Sequence, residues 1–275
     1  MPDQSKQPLA QAIAQAVARV LERNSIAALA TLIEAPAGVG AKLLVEETGE
    51  RTGSLGDFSL DDAVASSAGT FLTSRAEART FHLAELINEP QGQTSARILF
   101  ERIEPEPRLV ICGAGHVGAA LARLAHLIGY HTVLIDDRTD FVMRERFPDE
   151  GIELIKASNW TDAVRASISS GRNVAVAVVT RGHNEDEECM RAVMSTRPDY
   201  VGLIGSKRRT NIVLERLREA GADEKDLRRV RAPIGLDIGA VTPQEVALSI
   251  LSEIVAERRG GLGAPLSLWR RSEKG

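Results

Sequence analysis

Residues 113–118 read Gly-Ala-Gly-His-Val-Gly. This G-x-G-x-x-G follows an apolar run at 109–112 that reads as a strand, and it opens a helical pattern, which is the context in which such glycines bind phosphate. Gly113 permits the tight turn, and Gly115 lets a phosphate approach backbone N–H groups at the helix N-terminus. His116 and Val117 follow in the same first turn, and Gly118 lets the helix lie close on the sheet. Asp136, at the end of the next apolar run, is placed to take a ribose hydroxyl, and Asp136 with Asp137 would repel a 2′-phosphate. The competing reading is that the glycines serve helix–strand packing alone.

Other chemistry-bearing residues fall at the ends of later apolar runs. In a doubly wound sheet the ligand crevice opens at the carboxyl edge where strand order reverses, between the first and fourth strands. The fourth run ends in Thr180-Arg181-Gly182-His183, so His183 is expected across the crevice from His116. Histidine there can donate a hydrogen bond, shuttle a proton or ligate a metal, or simply bond its own loop. The fifth run ends in Gly205-Ser206-Lys207-Arg208-Arg209. Ser206 is a good N-cap, but three cations in a first helical turn oppose the macrodipole, a conflict that an anionic ligand would remove. A solvated charge run is the equal alternative. The loop 232–239, with Gly235, Asp237 and Gly239, reads as a shaped segment on the same edge in which Asp237 caps or ligates. Cys112 reads as a small buried hydrophobe, and Cys189 lies among carboxylates that should raise its pKa, so neither is expected to be a nucleophile.

The elements that must hold these residues divide the chain. Leu9, Ile13, Val17, Val20 and Leu21 share one helical face, and the runs 26–33, 42–46, 51–55, 79–83 and 96–103 read as strands. The second and third of these form a hairpin with Gly49 in its turn, and a loop holding Pro90 and Gly92 joins the last two. Residues 1–103 are thus a small α+β domain, and Glu104-Pro105-Glu106-Pro107 an extended linker. From 108 to 275 the pattern becomes α/β, a Rossmann-type doubly wound parallel sheet. Its strands are expected at 109–112, 132–135, 152–155, 174–180, 200–204 and 229–232, each followed by a helical pattern, with the last left open. The final helix has a complete start signal in Thr242, Pro243 and Glu245.

Composition limits the function. The 275 residues suffice for two cores, and the two cysteines supply neither a disulfide framework nor a zinc site, as expected of a cytoplasmic protein. A net charge of −4 argues against nucleic acid as partner, and no apolar run is long enough for a membrane helix.

Taken together and in order, GAGHVG, IDDR, TRGHNEDE, YVGLIGSKRR and GLDIGA-VTPQEVALSILSEIVA resemble the XdhC/CoxI family, accessory proteins of xanthine dehydrogenase and related molybdenum hydroxylases. The likeness covers the whole second domain and extends more weakly to ALATLIEAPAG and AKLLVEETGERTGSL in the first. It implies a chaperone-like protein, not an enzyme. Such a protein binds molybdenum cofactor, as molybdopterin or a dinucleotide form, helps it acquire sulfur from a cysteine desulfurase, and delivers it to an apo molybdenum hydroxylase. A homodimer is left open. Joined to the residues singled out above, this reading puts the cofactor contacts at the glycine turn, Asp136, Asp137, His183, Lys207, Arg208 and Asp237. The chain departs from the family where a Gly-Gly-Cys-Leu-Glu segment is usual, reading Gly53-Ser54-Leu55-Gly56-Asp57 onward. It departs again where Cys-Gly-Gly is usual, reading Gly92-Gln93-Thr94-Ser95. Two rivals stand beside this reading: an NAD-dependent oxidoreductase using the same fingerprint, and a docking protein that has kept the fold without the ligand.

Overall fold

The computed structural model describes residues 6–74, 76–87, 96–168 and 173–268. The loop holding Pro90 and Gly92, and the segment through Ser95, lie outside them. The chain forms two compact units, residues 1–105 and 106–275.

In the first unit α1 (Lys6–Glu22), β1 (Ala27–Glu34), β2 (Lys42–Glu46) and β3 (Arg51–Ser54) follow the sequence pattern. The β2–β3 hairpin turns at Gly49, whose φ of 87° suits glycine. Next come α2 (Phe58–Thr73), β4 (Ala78–His82), α3 (Leu83–Ile87) and β5 (Arg97–Ile103). The sheet is antiparallel in the order β3-β2-β1-β5-β4. Helix α2 is absent from the sequence reading. Its apolar positions are diluted by Ala and Ser, and its start is signalled mainly by Asp57, which accepts from the Leu60 N–H. The segment 53–61 serves this start, because Asp61 accepts from the Leu55 N–H.

The second unit holds β6 (Arg108–Cys112), α4 (His116–Leu127), β7 (His131–Asp136), β8 (Ile152–Lys156), α5 (Trp160–Ile168) and β9 (Val174–Val178). After them come α6 (His183–Thr196), β10 (Tyr200–Leu203), α7 (Lys207–Glu219), α8 (Glu224–Leu227) and α9 (Pro243–Arg259). Its sheet is parallel in the order β10-β9-β6-β7-β8, so strand order reverses between β6 and β9. This is the doubly wound arrangement expected. Strand residues alternate between two buried faces. Leu109 and Ile111 pack with Leu121, Ile250 and Ile254, while Val110 and Cys112 pack with Met190, Val193 and Val213.

Two expectations fail. No helix follows β7 among the described residues: a short 3₁₀ turn at Thr139–Phe141 leads into a loop held by side chains. In that loop the Arg144 guanidinium donates to the carbonyls of Phe147, Asp149 and Ile152, and Phe147 is fully buried. The expected strand at 229–232 is a single parallel bridge, Gly202 to Arg231. Arg231 donates to the Val201 carbonyl, but Pro233 has no N–H for the next rung, and Ile234 donates to Leu203 instead.

Candidate functional site

The three glycines of the turn differ in what holds them. Gly113 has a φ of 111°, and a Cβ there would stand 2.6 Å from the Val179 carbonyl oxygen. At Gly118 a Cβ would collide with the Gly113 carbonyl oxygen. Gly115, the N-cap of α4, has a φ of −65°, and a Cβ on it would meet nothing within 4 Å. Neither backbone nor packing requires glycine at 115. What the missing side chain leaves is open space before the first N–H groups of α4, the place a phosphate occupies at a helix N-terminus.

Asp136 performs a different task from the one its position suggested. It is 1% exposed, and its Oδ2 accepts from the Ala114 N–H at 2.7 Å and from Arg138 Nη2 at 2.8 Å. Its Oδ1 accepts from the Arg138 backbone N–H at 2.9 Å and from Arg138 Nε at 2.8 Å. Four acceptor positions are filled, so none remains for a ribose hydroxyl. Burial pushes the carboxyl pKa up, but the bonds from Arg138 and Ala114 outweigh it and hold it below the ordinary value. Asp136 is therefore a brace that fixes Ala114 inside the glycine turn. Asp137 is likewise engaged, since both its oxygens accept from Arg181, at 2.7 and 2.9 Å. With Arg138 and Arg181 beside them, the two aspartates do not form the negative patch expected to repel a 2′-phosphate.

His116 and His183 are the first residues of α4 and α6. Their helices leave the carboxyl ends of the paired strands β6 and β9, and both side chains are exposed. Topology thus brings them to the same edge. Val117, next in the turn, is half-buried and packs on the core cluster that holds Leu109 and Ile111.

At the end of β10 Ser206 caps α7 as expected, accepting from the Arg209 N–H at 3.3 Å. The three cations that follow do not form one set. Arg209 turns inward, its Nη2 and Nε donating to Asp186 Oδ2 at 2.5 and 3.1 Å, and the Thr180 hydroxyl donates to Asp186 Oδ1 at 2.5 Å. Asp186 is fully buried, and burial raises its pKa despite these partners. Lys207 and Arg208 stay exposed, without an ion pair among the described residues. The segment after 232 runs beside β10, where Ile234 donates to the Leu203 carbonyl, and the Gly235 N–H and the Tyr200 hydroxyl both donate to Glu253 Oε2. Asp237 is exposed and caps no helix among the described residues. Thr242 and Glu245 form the capping box of α9.

Both cysteines are buried and free. Burial is the main cause that pushes the Cys189 thiol well up, with the Cys112 thiol next and the carboxylates of Asp186 and Glu188 last. The sequence reading had the direction and missed the leading cause. It also gave no role to Arg181, which pairs with Asp137 and Glu185 and for which only its place between the fourth strand and Gly182 was a signal. No group of three His, Cys, Asp or Glu side chains among the described residues is placed to hold a metal ion. No helix among them is long and apolar enough to cross a membrane.

Residues 109–254 match the family model described as the XdhC Rossmann domain, and residues 20–83 the model of the XdhC and CoxI family. The chain is 30% identical over 255 residues to the uncharacterized protein YqeB of Escherichia coli (strain K12), covering 90% of this chain and 46% of that protein. It is 29% identical over 170 residues to a probable xanthine dehydrogenase subunit from Bacillus subtilis (strain 168), covering 62% and 48%. It is 27% identical over 154 residues to the molybdenum cofactor insertion chaperone PaoD of Escherichia coli (strain K12), covering 56% and 41%. The chain thus spans less than half the length of each of these relatives. A crystal structure of a xanthine dehydrogenase from Bacillus halodurans superposes with a TM-score of 0.66 at 19% identity, over 95% of this chain and 69% of that one, a likeness of fold.

Proposed function

The chain belongs to the XdhC/CoxI family, and on that premise we propose that it binds molybdenum cofactor and serves as a chaperone that delivers it to an apo molybdenum hydroxylase. The observation that carries the reading is Gly115, a glycine that neither φ nor packing demands, beside N–H groups that a phosphate can bind. Lys207 and Arg208, exposed and without ion pairs among the described residues, supply further charge for an anion at the same sheet edge. The residues present fit the organic part of the cofactor: backbone donors and cations hold its phosphate, whether in the molybdopterin or a dinucleotide form. When bound, the cofactor carries the molybdenum that the client hydroxylase uses. This chain's residues bind and orient it.

Two relatives support the partner class, since one is named for a xanthine dehydrogenase and another for molybdenum cofactor insertion. On this reading the protein is an accessory factor and not itself an oxidoreductase. The rival that uses NAD needs a carboxylate free for the ribose, and Asp136 has no acceptor position left. A cysteine desulfurase would bring the sulfur, because both cysteines of this chain are buried. The protein would act in the cytoplasm, as a monomer or a homodimer.

The test is reconstitution of an apo-hydroxylase with limiting cofactor. The full chain should raise the yield of active hydroxylase, and Gly115→Val, which keeps its melting temperature, should not. Equal yields with and without the chain would overturn the proposal.

A further inference from the structure

The contact between Asp137 and Arg181 joins two strands that are not neighbours. Asp137 follows β7 and Arg181 follows β9, and both strands pair with β6, which lies between them. Adjacent strands are about 4.8 Å apart, so the two ends stand roughly 10 Å from one another across the line of β6. The register shows what lies in that gap. Cys112 is level with Ile135 on one side and Val178 on the other, so the next residues of β6 are Gly113 and Ala114, flanked by Asp136–Asp137 and Val179–Thr180. A side-chain bond from Asp137 to Arg181 must therefore cross the end of β6, where the chain turns through the glycines. It does so as a two-pronged pair, Nη1 to Oδ1 at 2.7 Å and Nη2 to Oδ2 at 2.9 Å. Glu185, in the first turn of α6, holds the same guanidinium at 3.2 Å.

The pair is partly open to solvent, 46% for the arginine side chain and 31% for the aspartate, so the fold does not need it for burial. An arginine fork suits phosphate as well as carboxylate, and the two compete for one set of donors. We propose that Asp137 and Arg181 form a latch over the glycine turn: Arg181 is a phosphate-binding residue of the site, held by Asp137 until a phosphate ester displaces the carboxylate. Glu185 keeps the released guanidinium at the sheet edge. Asp136 cannot play the competitor, because its oxygens are committed to Ala114 and Arg138. The inference rests on the reading of the turn as a phosphate site.

The experiment is retention of purified molybdenum cofactor by the full chain across a concentration series, read as pterin fluorescence after oxidation, with melting temperatures measured alongside. Arg181→Gln should weaken retention about ten- to a hundredfold, the worth of a bond from a charged donor. Asp137→Ala should strengthen it about two- to fivefold, the worth of a partly exposed ion pair. The double variant should bind like Arg181→Gln, since the latch acts only through the arginine. Unchanged retention in folded Arg181→Gln, or weaker retention in folded Asp137→Ala, would overturn the latch while leaving the phosphate site standing. Retention in Gly115→Val equal to the natural protein's would overturn the phosphate reading, and the latch with it.

Discussion

A methyl group at Gly113 or Gly118 would run into main chain, Val179 in one case and Gly113 itself in the other, whereas at Gly115 it would meet nothing within 4 Å. The motif made all three glycines legible in the sequence, but only the structure separates the two that the fold requires from the one that it does not. The opposite happened at Asp136. Its position invited a ribose contact, and its real partner, Arg138, is only two residues on. That pairing depends on the chain after β7 forming a loop where a helix was expected. Removing the brace has a definite cost. Asp136→Asn keeps one acceptor oxygen for four donors, so at neutral pH it should lower unfolding free energy by about 2 to 4 kcal/mol. The pH dependence has a fixed sign. The folded carboxyl titrates below its ordinary value of 3.8, so its stabilisation is present above that value and is lost as pH falls through the lowered one. Denaturant titrations of the natural protein and Asp136→Asn should differ most near neutrality and converge in acid. A constant gap down to about pH 2, below the ordinary carboxylate range, would contradict the brace.

Among the elements, α7 shows a local cost that a ligand would explain. Its first turn carries Lys207 and Arg208 against the positive end of the helix dipole, and among the described residues Arg209 is the one compensated, by Asp186 of α6. Replacing both exposed cations, Lys207→Glu with Arg208→Glu, should raise stability by about 1 kcal/mol, since acids are favoured there. The same change should weaken cofactor retention at least about tenfold and make it less sensitive to salt. A stabilised variant that retains cofactor normally would remove this turn from the site. How well each element was legible followed from where its signal lies. The start of α9 is encoded by Thr242, Pro243 and Glu245 within one short stretch of chain, and its capping box was read correctly. The extra strand at 229–232 failed because its pairing depends on β10, far back in the chain, and on the missing N–H of Pro233. Helix α2 was missed because Ala and Ser blur its apolar face, and burial of Val64, Ala68, Phe71 and Leu72 appears only with the sheet in place.

At the scale of the molecule, the reversal of strand order between β6 and β9 accounts for why residues from four separate segments meet at one edge: the glycine turn, Asp136–Asp137, Arg181–His183 and Ser206–Arg209. The alternation of strands and helices made that architecture readable without a structure, because burial on both faces leaves nearly continuous apolar runs such as Val174–Val178. Which charges find each other across the edge was not readable, since ion pairing between strand ends leaves no periodic trace. What the protein carries decides whether this edge is a cofactor site. Native mass spectrometry with pterin and molybdenum analysis, on protein purified from a molybdate-replete host, tests that most directly. A pterin-bearing species in the natural protein, absent in folded Gly115→Val, is the predicted result; a nicotinamide nucleotide in its place, or a natural protein carrying no ligand, would contradict it.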